Sequence, residues 1–531
     1  SNSRPVTSTG NRSALRESPR SRAQRTAKMA ARVSDVEATS PLLGFGDPRS
    51  KNAVWEVALT WLFWLTIGWP VAFMLLMLQA CSCCFCGPVC LGMPKKPKSR
   101  SNCCWRLAER INARCKLWIM TRHADSYFWK SWMTLLMAFD ISDMPYWSHA
   151  LGPQYYHRLA EAENRGDDAF VFGRGVWECS HNRVLAMTRA NQRRGPSVGG
   201  CYYKFPETFS ESALISIDGE AWKTKRAELF KVVFDQDGAV RAKLSRLCDK
   251  TELLDKVADW AKDPATRVDF VEDAMGICAA IVFAVLFDVS LTPEECQKAS
   301  RYRQSVPMVV VPVSWLHCIT VKGDRALHTL RRDFSKILKR SPNYAFLTNA
   351  ATNVGAPLEE WLLEIIDPIL FAGINGSATL LCHVLQALQN TNDSYHIHYP
   401  TRTTTELASL FRANPAAFVL EVARVNGAVG GFATVVETPV VKKVCGKPAT
   451  LPRGCLLHAN IAMSSLDEAE WGPSAKVFDP SRDHSMLLAW NGPRGDESTS
   501  APRICPGMEL SNTLVQLCAA KWLDHQQPQV A

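Results

Sequence analysis

From Pro357 to Asn390 the chain reads as one nearly continuous helical pattern of mostly apolar side chains. At ~1.5 Å per residue such a helix is about 50 Å long, enough to cross a whole domain. A helix apolar on most faces must be buried on most faces, so the remaining chain has to build a shell around it. With 531 residues, 47% of them apolar, there is material for one large body or two or three smaller ones. From residue 131 onward the pattern is that of a single, mostly helical body with a small β portion, and no internal repeat interrupts it. Pro368 and the pair Gly373/Gly376 weaken the middle of the long helix. Mid-helix irregularities of this kind have a steric or functional cause, and small residues there let a flat group pack against the backbone.

The net charge of +10 is unevenly spread. Residues 1–52 hold ten Lys/Arg against four acids, and residues 93–122 nine against one. Basicity confined to one end points to a membrane surface rather than to nucleic acid, and neither basic–aromatic interleaving nor zinc-finger spacing is present. Segment 1–52 is predicted to be disordered, although an organelle transit peptide has a similar composition. Val57–Ala80 is an uncharged, apolar run of 24 residues, where a bilayer core needs about 20. Segment 53–92 is therefore predicted to be a single transmembrane helix followed by a cysteine-rich juxtamembrane stretch. Cys81, Cys83, Cys84, Cys86 and Cys90 suit S-acylation. A zinc cluster is disfavoured because paired CxxC spacing and a nearby histidine are lacking. Residues 93–130 read as a basic, Trp-containing linker on the headgroups. Both flanks of the span are positive, so topology and host membrane, endoplasmic reticulum or plastid-type, stay open. The other cysteines among the nineteen are scattered and read as reduced thiols.

Three local patterns carry chemistry. In Asn414-Pro415-Ala-Ala-Phe-Val-Leu-Glu421-Val-Ala-Arg424, Asn414 is a helix N-cap and Pro415 a first helical residue, which places Glu421 and Arg424 on one face. Apolar neighbours make that pair partly buried, so it needs a further hydrogen-bonding partner, and Arg482 is a natural one. In Gly219 to Phe230, Trp222 and Arg226 lie one helical turn apart, and their N–H groups can both donate to a carboxylate of a cofactor. In Arg503-Ile504-Cys505-Pro506-Gly507, a cysteine precedes an amphipathic helical pattern (Met508, Leu510, Leu514, Val515, Leu517, Cys518, Trp522). A thiolate there gains from the helix dipole and free backbone N–H groups, and Gly507 lets the backbone lie against a flat cofactor.

Taken in order, these elements resemble the cytochrome P450 family over residues 130–525. The resemblance implies a mainly α fold carrying haem b, with 131–531 as the haem-thiolate catalytic domain. Cys505 would be the axial thiolate and metal ligand. Trp222, Arg226 and Arg503 would hold the haem propionates, with Gly507 beside the cofactor, and Glu421, Arg424 and Arg482 would form a structural triad. Two departures point to one branch. Where ordinary members carry an acid–alcohol pair in the central helix, this chain has Ala372-Gly373-Ile374-Asn375-Gly376-Ser377. Asn375 cannot deliver a proton as a carboxyl does. Where ordinary members have a Phe in a Gly-rich loop before the cysteine, this chain has Trp490-Asn491-Gly492-Pro493 and an insertion. Both features are similar to the allene oxide synthase/hydroperoxide lyase branch. The implied substrate is a fatty acid hydroperoxide, opened by O–O homolysis with Asn375 and Cys505 as catalytic residues. Products would be an allene oxide, aldehydes or an epoxy alcohol, made in oxylipin synthesis without dioxygen or a reductase partner. The stretch Gly199–Pro206, with Tyr202 and Tyr203, is where that branch biases its product. Asn426-Gly427 stands where the family often has a double proline. The rival expectations are a monooxygenase with a reductase, relaying protons through Ser377, and a non-catalytic haem-binding membrane protein.

Overall fold

The computed structural model describes residues 103–122, 161–172, 175–190 except 179, 217–234, 270–310, 317–390, 402–494 and 501–526, with isolated positions elsewhere. The basic segment 1–52 and the stretch 199–206 lie outside the described residues, as does the expected span 53–92 apart from Leu62, Thr66 and Pro70.

In chain order, α1 (Cys103–Arg122) is followed by the hairpin β1 (Ala169–Phe172) and β2 (Gly175–Glu178), then α2 (His181–Arg189) and α3 (Gly219–Leu229). Next come α4 (Phe270–Phe287), α5 (Pro293–Val310), α6 (His317–Leu338) and α7 (Tyr344–Val354). The central rod is built from α8 (Leu358–Pro368), a π-helical segment Ile369–Ile374, and α9 (Asn375–Leu388). After it come α10 (Thr404–Ala413), α11 (Pro415–Val425), strands β3 (Phe432–Val435), β4 (Val440–Val444), β5 (Lys447–Leu451) and β6 (Leu456–Ala459), and the short helices α12 (Ile461–Ser464) and α13 (Glu468–Trp471). The last helix is α14 (Met508–Gln526). The six-stranded sheet runs β3-β6-β2-β1-β4-β5, with parallel pairing only at β1–β4 and β2–β6.

The expected long helix is present, with its irregularity at the expected place. Pro368 has no N–H to give, so the ladder cannot continue in α register and widens into a π turn over the next residues. Among the described residues, the rod Leu358–Leu388 is the one helix long and apolar enough to cross a membrane, yet 67% of its apolar window is buried within the protein. It is a core rod. Around α9 pack α4, α11 and α14, while α5 and α6 cross the π segment and α8. Trp361 is 1% exposed and satisfies its indole N–H on the Leu347 carbonyl at 2.9 Å. Full burial of such side chains contributes about 1.5–3 kcal/mol each.

One expected boundary moves. Within the stretch read as a linker, α1 turns Ala113, Ile119 and Met120 into a second core with Val171, Val176 and Leu451 of the sheet. The folded body therefore begins ahead of residue 131. The basic, Trp-containing composition that suggested a headgroup-lying link also suits a helix with one face docked on a sheet.

Candidate active site

Three walls meet near the middle of the rod. The first is the rod itself. The π segment buries Ile369, Leu370 and Ile374 but leaves Ala372 and Gly373 exposed in mid-helix, and Asn375 opens α9 half-buried. A Cβ added at Gly376 would meet nothing within 4 Å. The small side chains thus leave open space in the middle of the rod, between buried residues on either side.

The second wall is the loop that carries Cys505. Its backbone is clamped by the earlier segment: the Cys505 N–H donates to the Trp490 carbonyl at 2.8 Å, and Asn491 Nδ2 donates to the Arg503 carbonyl at 2.8 Å. Asn491 takes φ +66°, a conformation asparagine tolerates better than most residues. A Cβ at Gly492 would come within 2.6 Å of the Ala501 Cβ, so only glycine lets the two strands of this loop touch. The Trp-Asn-Gly motif therefore holds the cysteine loop shut from behind. The loop enters α14, and Ser511 joins back to the rod: Ser377 Oγ lies 3.0 Å from Ser511 Oγ and donates to the Gly373 carbonyl at 2.8 Å. Cys505 thus stands six residues ahead of Ser511, the residue of the final helix that touches the rod. Burial pushes its thiol up, while the Gly507 N–H and the Arg226 guanidinium favour the thiolate.

The third wall is α3. Trp222, 5% exposed, is flanked by two guanidiniums, Arg503 at 4.5 Å and Arg226 at 5.4 Å from its ring centre. Arg226 also donates to the Ile504 carbonyl, beside Cys505. Arg503 Nη2 donates to Asp218 Oδ1 at 2.7 Å and to the Ile217 carbonyl at 3.0 Å. Burial lowers Arg226 to about 10; the Cys505 sulfur raises it and Arg503 lowers it. A half-buried guanidinium next to a second one, steadied by a thiol sulfur, is a place that draws an anionic group. Trp222, Arg226, Arg503, Cys505 and Gly507 are thus brought together. A planar group with carboxylate arms and a thiolate-seeking metal fits this donor set and the open strip at Ala372–Gly376.

The second candidate cluster is more deeply enclosed than expected. Asn414 caps α11, its Oδ1 accepting the Ala417 N–H at 3.0 Å, and Glu421 and Arg424 are both fully buried. Arg424 makes a two-pronged pair with Glu421 at 2.7 and 2.8 Å and donates to the carbonyls of Ser465 and Ala475, each at 2.7 Å. Burial opposes charge on Glu421, but Arg424, His484 and the Asp479 N–H hold its carboxyl below the usual range. The expected third member, Arg482, is an ion-pair partner of Glu421 at 3.5 Å, and its guanidinium also donates to the carbonyls of Trp471 and Ser474 at 3.0 and 2.6 Å. The close partner is His484, whose Nε2 lies 3.0 Å from Glu421 Oε2. A surface hollow of about 360 Å³ lined by Leu420, Arg482, His484 and Arg494 opens beside this cluster.

No protein-family model matches the sequence, and no curated protein matches it. Solved structures do resemble its fold. P450BioI, in complex with hexadec-9Z-enoic acid ligated acyl carrier protein, is 14% identical with a TM-score of 0.53 over 71% of this chain and 92% of that one. Cytochrome P450 CYP109Q5 from Chondromyces apiculatus is 17% identical with a TM-score of 0.51 over 69% and 86%. CYP109B1 from Bacillus subtilis is 12% identical with a TM-score of 0.50 over 69% and 90%. The likeness fixes the fold: a mainly helical body with a small sheet, arranged as in cytochromes P450.

Proposed function

We propose that this chain is a haem-thiolate enzyme that rearranges or cleaves fatty acid hydroperoxides. The cofactor is haem b, held by Cys505 at the iron and by Trp222, Arg226 and Arg503 at its carboxylate arms. Bound there, haem supplies homolytic cleavage of the substrate's O–O bond, so neither dioxygen nor a reductase is needed. The chain's own residues do the rest. The Gly507 N–H and Arg226 favour the anionic form of Cys505. Asn375 donates a hydrogen bond to the hydroperoxide and orients it, an alignment role that a carboxamide fills as well as an acid would.

The observation that supports this reading is the carboxamide of Asn375 in the middle of the rod, where a carboxyl group would be needed to deliver a proton to bound dioxygen. The N-terminal span at 53–92 would tether the enzyme to the membrane where such lipids partition.

Full-length ferric protein mixed with a fatty acid hydroperoxide and no reductant tests this. Consumption of the hydroperoxide at catalytic turnover is expected. Turnover that appears only with a reductase, NADPH and dioxygen would contradict it and establish the monooxygenase reading instead.

A further inference from the structure

We infer that Glu364 is a positioning residue, which braces α3 against the rod and thereby sets the separation between the rod and the Cys505 loop. The inference rests on the haem-thiolate reading above and adds to it a residue far from the iron ligand.

Glu364 lies on α8, and its side chain is 5% exposed. Both carboxylate oxygens are engaged: Oε1 accepts Lys225 Nζ at 2.9 Å, and Oε2 accepts the Leu214 N–H at 2.8 Å. Both donors belong to the segment that forms α3, one within the helix and one just ahead of it. A neighbouring side of the same helix and the residues just ahead of it are tied to the cysteine loop, through Arg226 to the Ile504 carbonyl and through Arg503 to Asp218 and the Ile217 carbonyl. Lys225 and Arg226 are consecutive, so they leave the helix axis about 100° apart and can reach two walls. α3 is therefore a strut between the rod and the residues immediately before Cys505.

The two ends of the open strip are closed differently. Past Asn375, the Ser377–Ser511 hydroxyl contact joins rod and final helix through neutral groups. Ahead of it, the tie is a buried ion pair with a backbone N–H as second donor. Burial pushes the Glu364 carboxyl up, and Lys225 with the Leu214 N–H offsets this. Loss of the carboxylate leaves Lys225 and the Leu214 N–H to be satisfied elsewhere and removes the hydrogen-bonded tie between α3 and the rod. α3 and the Cys505 loop bonded to it can then shift together against the rod.

The test uses the full chain loaded with haem and three variants: Glu364→Ala, Glu364→Gln, and the double variant Glu364→Leu with Lys225→Met. Three quantities are read: the rate of haem transfer to an excess of apomyoglobin, the absorption band of the reduced carbon monoxide complex, and the melting temperature. Glu364→Gln keeps one acceptor oxygen but turns an NH2 toward the other donor, so it should lose haem at a rate between those of the wild type and Glu364→Ala. Glu364→Ala should lose it roughly tenfold faster or more and convert sooner to a band lacking thiolate ligation. In the double variant the unpaired charge is gone, so the melting temperature should recover while haem loss stays fast. Haem loss that returns to the wild-type rate together with the melting temperature would overturn the inference and leave an ordinary stabilising ion pair. Wild-type chain that binds no haem would instead overturn the reading on which it rests.

Discussion

Asn375 and Ser377 divide the chemistry of the rod's middle between them. One is a half-buried carboxamide at the start of α9; the other is tied to Ser511 at 3.0 Å. Asn375→Ala should slow hydroperoxide turnover by about 10- to 100-fold with little effect on melting, because it removes orientation rather than packing. A steady-state assay beside a thermal scan checks this, and an unchanged rate would remove Asn375 from the mechanism. Glu421 behaves oppositely. Replacing it with alanine strands the fully buried Arg424 and should cost about 3–5 kcal/mol, read as a lowered denaturation midpoint. The pairing of these two was legible in sequence because three residues along a helix place side chains on one face. His484 was not. It reaches Glu421 through the fold of a loop 63 positions later, and no local spacing records that path. The signal was there only in retrospect, as a histidine two residues after the arginine expected to make the contact.

At the scale of elements, the rod was legible and its enclosure was not. Apolar continuity announced a buried helix, and Pro368 announced where it would break. Which helices would cover it depends on long-range packing that composition does not encode. The sheet was nearly silent in sequence, since its strands are four or five residues long and some, such as Ala169–Phe172, are buried throughout and show no alternation. That sheet carries a pH dependence. His458 in β6 stacks on Trp177 at 4.4 Å, and burial drives its imidazole down to about 3. The unfolded chain takes up a proton near the ordinary value of 6.5 that the folded one refuses. Its contribution is therefore complete above pH 6.5 and is lost as the pH falls toward 3, at up to about 1.4 kcal/mol per pH unit. Chemical denaturation from pH 7.5 to 4.5 should show midpoints falling with pH, and His458→Phe should flatten that slope. An equal slope in both proteins would assign the acid sensitivity elsewhere.

For the whole molecule, the account joins a rod, a strut and a clamped cysteine loop around one strip of small residues. A group bound there touches all three walls, so it should stabilise the entire fold rather than one part. By linkage, haem at one hundred times its dissociation constant adds about 2.7 kcal/mol, and one cooperative transition should shift upward on loading. The Trp-Asn-Gly clamp explains why the motif was readable before the fold was known: Asn491 at φ +66° and the tight contact at Gly492 are demands that few residue types meet. The most direct measurement is the absorption spectrum of reduced, carbon-monoxide-treated full-length protein beside that of Cys505→Ser. The account predicts the red-shifted band of thiolate-ligated haem in the first and its loss in the second. A wild-type spectrum identical to that of Cys505→Ser would contradict it.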